Sequence, residues 1–208
     1  MGTFTYGTTT VKHQTGMETM TLSSTEHLAT GWCYFSAVTP VSANQVGVMG
    51  EIYNPAGLLL KSTKIVWNTG GEQNQGAGAS LVCVPGARYF AGGRVYISRT
   101  HIESMGCYQS PILTCSTGEV ETIITPEEYQ INDHGETYGS LMFANEIGEE
   151  PDLIAVLATN NKEGYIYSED FNNVALDDGL AEDSTIPVYD KNGLTLIGEF
   201  ELDEPRVA

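Results

Sequence analysis

The sequence predicts an all-β protein, with an antiparallel β-sandwich over residues 3–118 and a small acidic module of β-hairpins over residues 119–208. Three observations predict this fold class. Short segments alternate apolar and polar residues with a period of two, and Gly, Pro and Asn turn signals separate these segments. In addition, the acidic residues are concentrated in the last part of the chain.

The strands predicted in the first part share this period of two. They are residues 17–24 (METMTLSS), 31–38 (GWCYFSAV), 46–54 (VGVMGEIYN) and 94–99 (RVYISR). In the second of them, Cys33 and Phe35 fall on one face and Trp32 and Tyr34 on the other. One apolar and one mixed face are typical of antiparallel sheets that pack on one side. No helix-length pattern with a period of 3.6 residues precedes residue 119.

The acidic part predicts two hairpins and little helix. Residues 151–171 contain an apolar run, a polar turn at 160–164 and an alternating Tyr-Ile-Tyr. Residues 186–200 (IPVYDKNGLTLIGEF) place a type I turn at Asp190–Gly193, with Gly193 at positive φ. Thr125 begins a capping box with Pro at the first helical position, which predicts one helical turn. Residues 172–184 lack periodicity and are predicted to be a linker.

The net charge of the chain changes close to the predicted boundary at residue 118. Residues 1–115 carry six basic and five acidic side chains (+1), whereas residues 116–208 carry three basic and 22 acidic ones (−19). This step in composition predicts a domain boundary. Nucleic acid is not an expected partner, because its phosphates are bound by clustered Lys and Arg. No apolar stretch reaches the roughly 18 residues of a transmembrane helix.

Four cysteines favour an exported protein in an oxidising compartment. Cys107 and Cys115 enclose seven residues that include a Pro, so a loop-closing disulfide between them is geometrically easy. Cys33 and Cys83 lie in predicted strands, where they either bridge the sandwich or remain buried thiols. No pair has the C-x-x-C spacing of zinc or redox sites.

The sequence contains no catalytic or cofactor-binding motif. It lacks G-x-S-x-G and a phosphate-binding loop, and its four histidines lack the paired spacing of metal-ligand motifs. No cofactor is therefore expected. Four acidic residues of the predicted linker could gather a calcium ion, the alternative being a solvated acidic linker. These residues are Asp177, Asp178, Glu182 and Asp183.

Aromatic side chains on the mixed strand faces predict a recognition surface, since they offer a large contact area at low rotamer cost. The candidates are Trp32, Tyr34, Tyr53, Trp67, Tyr89 and Tyr96. The alternative is that these rings fill cross-strand pairs within the sheets.

Several segments resemble known proteins. Residues 129–139 (YQINDHGETYG), 151–171 and 185–202 resemble the C-terminal region of secreted, mostly uncharacterised proteins of Gram-positive bacteria, whose closing strands are similar to bacterial SH3-like modules. Residues 31–97 resemble an exported β-sandwich of the same proteins. Phe171 stands where those proteins usually have Leu. The resemblance implies secretion or a cell-surface location, and it carries no catalytic residue.

These observations together predict a non-catalytic exported protein of the cell envelope or extracellular space, which binds a protein or glycan or assembles with itself. The uncharged, β-prone N-terminal segment GTFTYGTTTV is the candidate for assembly through an edge strand. The alternative is a hydrolase that acts on peptidoglycan or carbohydrate through Glu136 paired with Glu149 or Asp152. Such a pair requires two carboxyl groups roughly 5–10 Å apart.

Overall fold

Strands dominate the computed structural model of the chain, so the all-β prediction is confirmed. The structure describes residues 1–6, 9–23, 26–37, 39–71, 74–97, 103–107, 109–115, 120–121, 128–176 and 184–207. The strands are β1 Gly2–Tyr6, β2 Thr9–Thr21, β3 His27–Ala37, β4 Val46–Tyr53, β5 Leu59–Thr63, β6 Val66–Trp67, β7 Asn74–Cys83, β8 Arg88–Ile97, β9 Glu103–Gly106, β10 Ile112–Thr114, β11 Val120–Glu121, β12 Gln130–Ile131, β13 Thr137–Gly139, β14 Leu153–Leu157, β15 Glu163–Tyr167, β16 Thr185–Tyr189, β17 Leu196–Asp203 and β18 Arg206–Val207. The helical elements are a 3-10 helix Leu141–Phe143, α1 Ala144–Ile147 and α2 Ser168–Leu176.

The first sheet has five antiparallel strands in the order β1-β2-β3-β7-β18. Its centre is the long pairing of β2 with β3, which runs without a shift in register from Val11–Ala37 to Thr21–His27. The predicted alternation in β3 is confirmed, because Cys33 and Phe35 are buried while Trp32 and Tyr34 are half-buried.

The second sheet has 13 strands and crosses the predicted boundary at residue 118. Its order is β11-β10-β8-β4-β5-β17-β16-β15-β14-β13-β12, with β6 on β4 and β9 on β8. From the first part of the chain, β5 pairs in parallel with β14 and with β17. Strands from both sides of residue 118 therefore share hydrogen bonds, and the division into two domains at this residue stays a prediction.

Glycines let the two sheets approach closely where β3 and β7 face β4. A Cβ added at Gly50 of β4 would lie 2.5 Å from the carbonyl oxygen of Ala77 in β7. A Cβ added at Gly31 of β3 would lie 2.7 Å from the carbonyl oxygen of Glu51. Both distances are shorter than any normal contact, so only glycine fits this spacing. Around these positions the apolar residues of the two sheets form the inter-sheet core, which includes Val11, Phe35, Val48, Ala77 and Val95.

The second face of β4 is also buried, which differs from the predicted mixed face. All eight residues of β4 are buried, because Met49 and Tyr53 belong to a larger core that also contains Leu141 and Phe171. The 3-10 helix and α2 thus contribute to the core on the side of β4 that the alternating pattern had marked as partly solvent-exposed.

The two predicted hairpins are present, but the predicted linker is partly wrong. β14 pairs with β15 and β16 with β17, and Gly193 donates its N–H to the Asp190 carbonyl at 2.9 Å with φ of 71°. Residues 172–176 belong to α2 instead of a linker. This helix forms because Phe171 and Ala175, one turn apart, are both buried and two acidic residues occupy its first turn. The predicted helical turn at Thr125 lies outside the described residues.

The predicted disulfide pairing is wrong, since Cys83 is bonded to Cys115. Cys83 ends β7 of the five-stranded sheet, and Cys115 follows β10 of the larger sheet, so the bond joins the two sheets. Cys33 and Cys107 are buried and unbonded. Short spacing along the chain favoured Cys107–Cys115, but the fold brings each of them to a cysteine of the opposite sheet.

Candidate binding site

Four tyrosines share the outer face of the strands β13 to β16. Tyr165 of β15 pairs with Tyr189 of β16. Leu153 of β14 pairs with Tyr167 of β15 on one side and with Tyr138 of β13 on the other. Directly paired residues point to the same side of a sheet. The intervening residues, such as Ile166, point to the opposite side and are buried in the larger core. We call Tyr138, Tyr165, Tyr167 and Tyr189 the tyrosine face.

The rings of the tyrosine face form two contacts between strands. Tyr138 and Tyr165 meet edge to face, with ring centroids 5.4 Å apart and planes at 85°. Tyr167 and Tyr189 have centroids 5.8 Å apart and planes at 63°. All four side chains are half-buried, so each ring keeps part of its surface open to a ligand. Edge-to-face pairs hold each other in place, which lowers the entropy cost of binding.

A cleft of about 250 Å³ lies beside the pair formed by Tyr138 and Tyr165. Its wall includes the rings of Tyr129 and Phe143, and Gln130 lies at its rim as an exposed residue. The Tyr138 hydroxyl donates to Gln130 Oε1 at 2.5 Å, and the Tyr129 hydroxyl donates to the Ser140 carbonyl at 3.2 Å. The cleft therefore combines aromatic surface with polar groups of fixed direction, the composition usual for small-ligand sites.

The phenols of Tyr165 and Tyr167 stay protonated at neutral pH, because the pKa of each is raised from its ordinary value of about 10. Burial raises the pKa of Tyr165, and the neighbouring Tyr138 and Glu163 raise it further. Burial and then Glu136 likewise raise the pKa of Tyr167. These carboxylates belong to the acidic part, where 22 acidic and three basic side chains give a net charge of −19. The surroundings therefore disfavour anionic ligands and suit neutral ones that accept or donate hydrogen bonds.

Three of the aromatic residues predicted to bind a partner are buried. Tyr53 and Tyr96 are 0% and 1% exposed, and Tyr89 is 8% exposed. Tyr53 stacks on Phe90 with centroids 5.3 Å apart, and its hydroxyl donates to Glu51 at 2.7 Å. A partner at the surface cannot contact the Tyr53 and Tyr96 rings, so the prediction is corrected for these two, and Tyr89 keeps too little exposed surface to serve as an anchor.

The other predicted aromatic residues lie away from the tyrosine face. Trp32 and Tyr34 of β3 stack with centroids 5.7 Å apart, and the Trp32 indole donates to Glu18 Oε1 at 2.7 Å. Trp67 is half-buried and lies 6.3 Å from Tyr96, centroid to centroid. Trp32 and Tyr34 thus stack along one strand, whereas the contact of Trp67 with Tyr96 joins two strands, as the alternative named. Binding through Trp32, Tyr34 and Trp67 stays a prediction.

Sequence reasoning missed the tyrosine face, although a signal for it was present. The alternating Tyr165-Ile166-Tyr167 predicts a strand, and it also places both tyrosines on the polar face of that strand, where an aromatic side chain suggests a functional contact. Tyr138 and Tyr189 come from other strands, and only the pairing of the sheet brings them together.

An ion-pair cluster centred on the buried Arg94 joins β4 and β8 and reaches the exposed Glu150. Arg94 and Glu51 are each 2% exposed, with Nε and Oε1 3.8 Å apart. Arg94 Nη1 lies 3.0 Å from Glu150 Oε1, and the guanidinium lies 5.6 Å from the centre of the Phe171 ring. Burial raises the pKa of Glu51, although Arg94 and the Tyr53 hydroxyl lower it. The cavity beside these groups has only about 20 Å³, room for roughly one water molecule.

The carboxylates proposed for a hydrolase take part in local hydrogen bonds. Asp152 Oδ2 accepts from the N–H of Thr137 at 2.8 Å and from its hydroxyl at 2.9 Å. Glu136 Oε2 accepts from the Asn132 amide at 2.8 Å. These bonds connect β13 to β14 and close the turn before β13, and a catalytic pair with Glu149 or Asp152 stays a prediction.

Candidate metal ligands and helices both occur within the described residues. There, no group of three or more His, Cys, Asp or Glu side chains is placed to hold a metal ion. The residues proposed for calcium, Asp177, Asp178, Glu182 and Asp183, lie outside the described part of the chain. Among the helices that the structure describes, none is long and apolar enough to span a membrane.

Comparison with known proteins does not assign a family. No protein-family model matches the chain, and no curated protein has a significantly similar sequence.

Proposed function

We propose that this chain is a non-catalytic extracellular or cell-surface protein that binds a neutral glycan through the tyrosine face. The observation that carries the proposal is the pair of ring contacts, Tyr138 with Tyr165 and Tyr167 with Tyr189, beside a cleft with polar groups. The Cys83–Cys115 bond favours an oxidising compartment. A β-sandwich followed by an acidic hairpin module, and membership of the secreted Gram-positive proteins that the sequence resembles, are part of this proposal.

The chemistry of sugars fits this surface better than that of other ligands. A sugar ring has an apolar C–H face that packs on an aromatic ring and a rim of hydroxyls that need hydrogen-bond partners. The tyrosine face offers half-buried rings, phenol hydroxyl groups and the Gln130 side chain. The net charge of −19 over residues 116–208 opposes nucleic acids and other polyanions.

Binding to insoluble glycans would test this proposal directly. The protein is mixed with peptidoglycan, chitin and β-glucan, and the fraction that sediments is measured against protein concentration. We expect saturable binding to at least one glycan, and Tyr138→Ala or Tyr165→Ala each to weaken it roughly 2- to 12-fold, the loss of about 0.5–1.5 kcal/mol of aromatic contact.

Tyr34→Ala distinguishes the tyrosine face from the aromatic surface that the sequence predicts, since Tyr34 is half-buried on the outer face of the other sheet. It should bind as the wild type does. Failure of the wild type to bind any of the glycans would overturn the proposal, and so would equal losses in Tyr34→Ala and Tyr165→Ala. Turnover of a glycan that disappears in Glu136→Gln would instead favour the hydrolase.

Self-assembly is a second candidate, favoured by the position of β1. Within the described residues β1 pairs only with β2, so its other edge carries unpaired backbone groups. Residues 1–11 contain no charged side chain, and charged residues are a common means of blocking such edges. The same feature lets an edge strand pair with a second copy of the chain.

Charged substitutions on this edge distinguish assembly from a monomer. Thr3 and Thr5 are exposed on β1, so Thr3→Lys with Thr5→Lys should reduce the mass measured by light scattering to that of one chain. Ser36→Lys adds a similar charge at an exposed position of the inner strand β3 and should leave assembly unchanged. A wild-type protein that is monomeric at all concentrations would dispose of this candidate.

A further inference from the structure

Two unbonded cysteines face each other between the sheets. Cys33 of β3 and Cys107, which follows β9, have sulfur atoms 3.0 Å apart. A disulfide bond has an S–S length of about 2.05 Å, so a shift of about 1 Å would join them. Both residues are buried, at 0% and 5% exposure, within the inter-sheet core.

The surrounding backbone holds the two cysteines in this position. The N–H of Cys107 donates to the Gly93 carbonyl at 2.7 Å, which extends the pairing of β9 with β8. A Cβ added at Gly93 would lie 2.5 Å from Cys33 Cβ, so the glycine leaves the space that Cys33 occupies. On the other side, Cys33 is paired with Thr15 and Ala77 in the middle of the five-stranded sheet.

We propose that Cys33 and Cys107 form a second disulfide that joins the two sheets, as Cys83 and Cys115 do. The observed bond and the proposed bond lie in separate clusters of buried residues between the sheets. Each takes one cysteine from a strand of the five-stranded sheet and one from the larger sheet. All four cysteines are then used, each bridged to the opposite sheet.

The two thiols differ in a way that suits bond formation. Burial raises the pKa of Cys107, but hydrogen bonds with Cys33 and His13 more than offset it and bring the value to about 7. Burial raises the pKa of Cys33 well above its ordinary value. These shifts belong to the closed fold, where Cys107 is the more acidic of the two thiols, and before the sheets close either thiol can attack first.

The oxidant is a disulfide, either of low molecular mass, such as oxidised glutathione, or of an oxidoreductase. One of the two cysteines, for example Cys107, attacks one sulfur of it as a thiolate and releases the other sulfur as a thiolate. Cys33 then loses its proton and attacks Cys107, which forms the Cys33–Cys107 bond and releases the second thiolate. Two electrons pass to the oxidant, whose disulfide becomes two thiols. Because both cysteines are buried in the folded protein, the exchange takes place before the sheets close.

Thiol counting on oxidatively refolded protein tests the proposal. The protein is refolded with reduced and oxidised glutathione, denatured with iodoacetamide and weighed by mass spectrometry. We expect no cysteine to be alkylated in this sample, and all four to be alkylated in a sample that is reduced before iodoacetamide is added. Digestion without reduction should use trypsin and chymotrypsin, since cleavage after Tyr108 separates Cys107 from Cys115. A peptide linking Cys33 to Cys107 is expected.

The Cys83–Cys115 bond is the internal control in the same sample. If it forms while Cys33 and Cys107 are both alkylated, the proposal is overturned. It is also overturned if Cys33 is found linked to any other cysteine. The variant Cys33→Ala should show a single alkylated thiol, at Cys107, and an intact Cys83–Cys115 bond.

A comparison of Tm with and without reductant separates the effect of the Cys33–Cys107 bond from that of the packing of the two side chains. In a variant that carries Cys83→Ala and Cys115→Ala, reductant can act only on Cys33 and Cys107. We expect reductant to lower its Tm by roughly 4–16 °C, the shift for a disulfide in a chain of this size. An unchanged Tm in a folded variant would contradict the bond, and if the variant does not fold, the linked peptide of the wild type decides.

Discussion

Arg94 is the residue whose environment departs most from that of an ordinary side chain. It is 2% exposed and contacts Glu51, Glu150 and the Phe171 ring, so its charge is balanced within the protein instead of by water. Taking charges out of water is costly, and removal of Arg94 leaves the Glu51 carboxylate buried without compensation. The stability of the wild type therefore depends on keeping the whole cluster together.

We expect Arg94→Leu to lower the free energy of unfolding by about 3–5 kcal/mol at pH 7. Arg94 lowers the pKa of Glu51, which burial has raised, so the substitution should raise that pKa further. A carboxyl whose pKa is raised on folding stabilises the fold below its unfolded pKa and loses this contribution as the pH rises through its folded pKa. The loss caused by Arg94→Leu should thus shrink as the pH falls from 7 toward 5.

Urea unfolding of both proteins at pH 7 and pH 5 measures this difference. Lys61→Leu is the control, because Lys61 forms a partly exposed ion pair with Asp203 at 2.8 Å and such pairs contribute only about 0–1 kcal/mol. An Arg94→Leu loss that is equal at both pH values would contradict the role of Glu51.

At the scale of elements, β4 has the most demanding position. It is buried on both faces, with the five-stranded sheet on one side and the larger core on the other. Gly50 lies where β4 approaches β7, with no space for a side chain. The absence of a side chain at Gly50 therefore determines the position of β4 as much as its apolar residues do.

Gly50→Ala should therefore destabilise the protein by at least about 1–3 kcal/mol, since the added methyl group would push against backbone atoms of Ala77. Gly16→Ala in β2 is the matched control, because a Cβ there meets nothing within 4 Å. It should be neutral or slightly stabilising. Chemical denaturation of the two variants makes the comparison, and equal effects would mean that sheet spacing does not limit position 50.

Local pattern predicted the elements that depend on local chemistry. The period of two marked β3, β4 and β8, and the Asp190–Gly193 turn marked the last hairpin, because both signals act between near neighbours in the chain. The second face of β4 is covered by residues about 90 to 120 positions later in the chain, so the local pattern could not predict that Tyr53 is buried. The tyrosine face required the order of β13 to β16, which alternation does not specify.

At the scale of the whole molecule, β5 is the junction between the two parts of the chain. One edge of β5 pairs with β4, and β14 and β17 pair with it from beyond residue 118. Leu59 at this junction is fully buried and belongs to the larger core. The larger core draws side chains from both parts, so neither part contains all of it.

A fragment of residues 1–118 should accordingly be less stable than the full chain. It loses the partners of β5 and exposes the side of β4 that carries Met49 and Tyr53. We expect a lower Tm by circular dichroism and a tendency to aggregate through the open edge of β5. A fragment with the Tm of the full chain would instead establish residues 3–118 as an independent domain.

The last strand has a consequence for the order in which the protein is made. β18 pairs with β7, so the five-stranded sheet is completed by residues 206–207, more than 120 positions after β7 ends. At about 5–20 residues per second, ribosomes need roughly 6–25 s to make the intervening chain. During that interval the backbone of Ala77 and Gly78 lacks its β18 partner, so this part of the β7 edge can pair with other chains until synthesis ends.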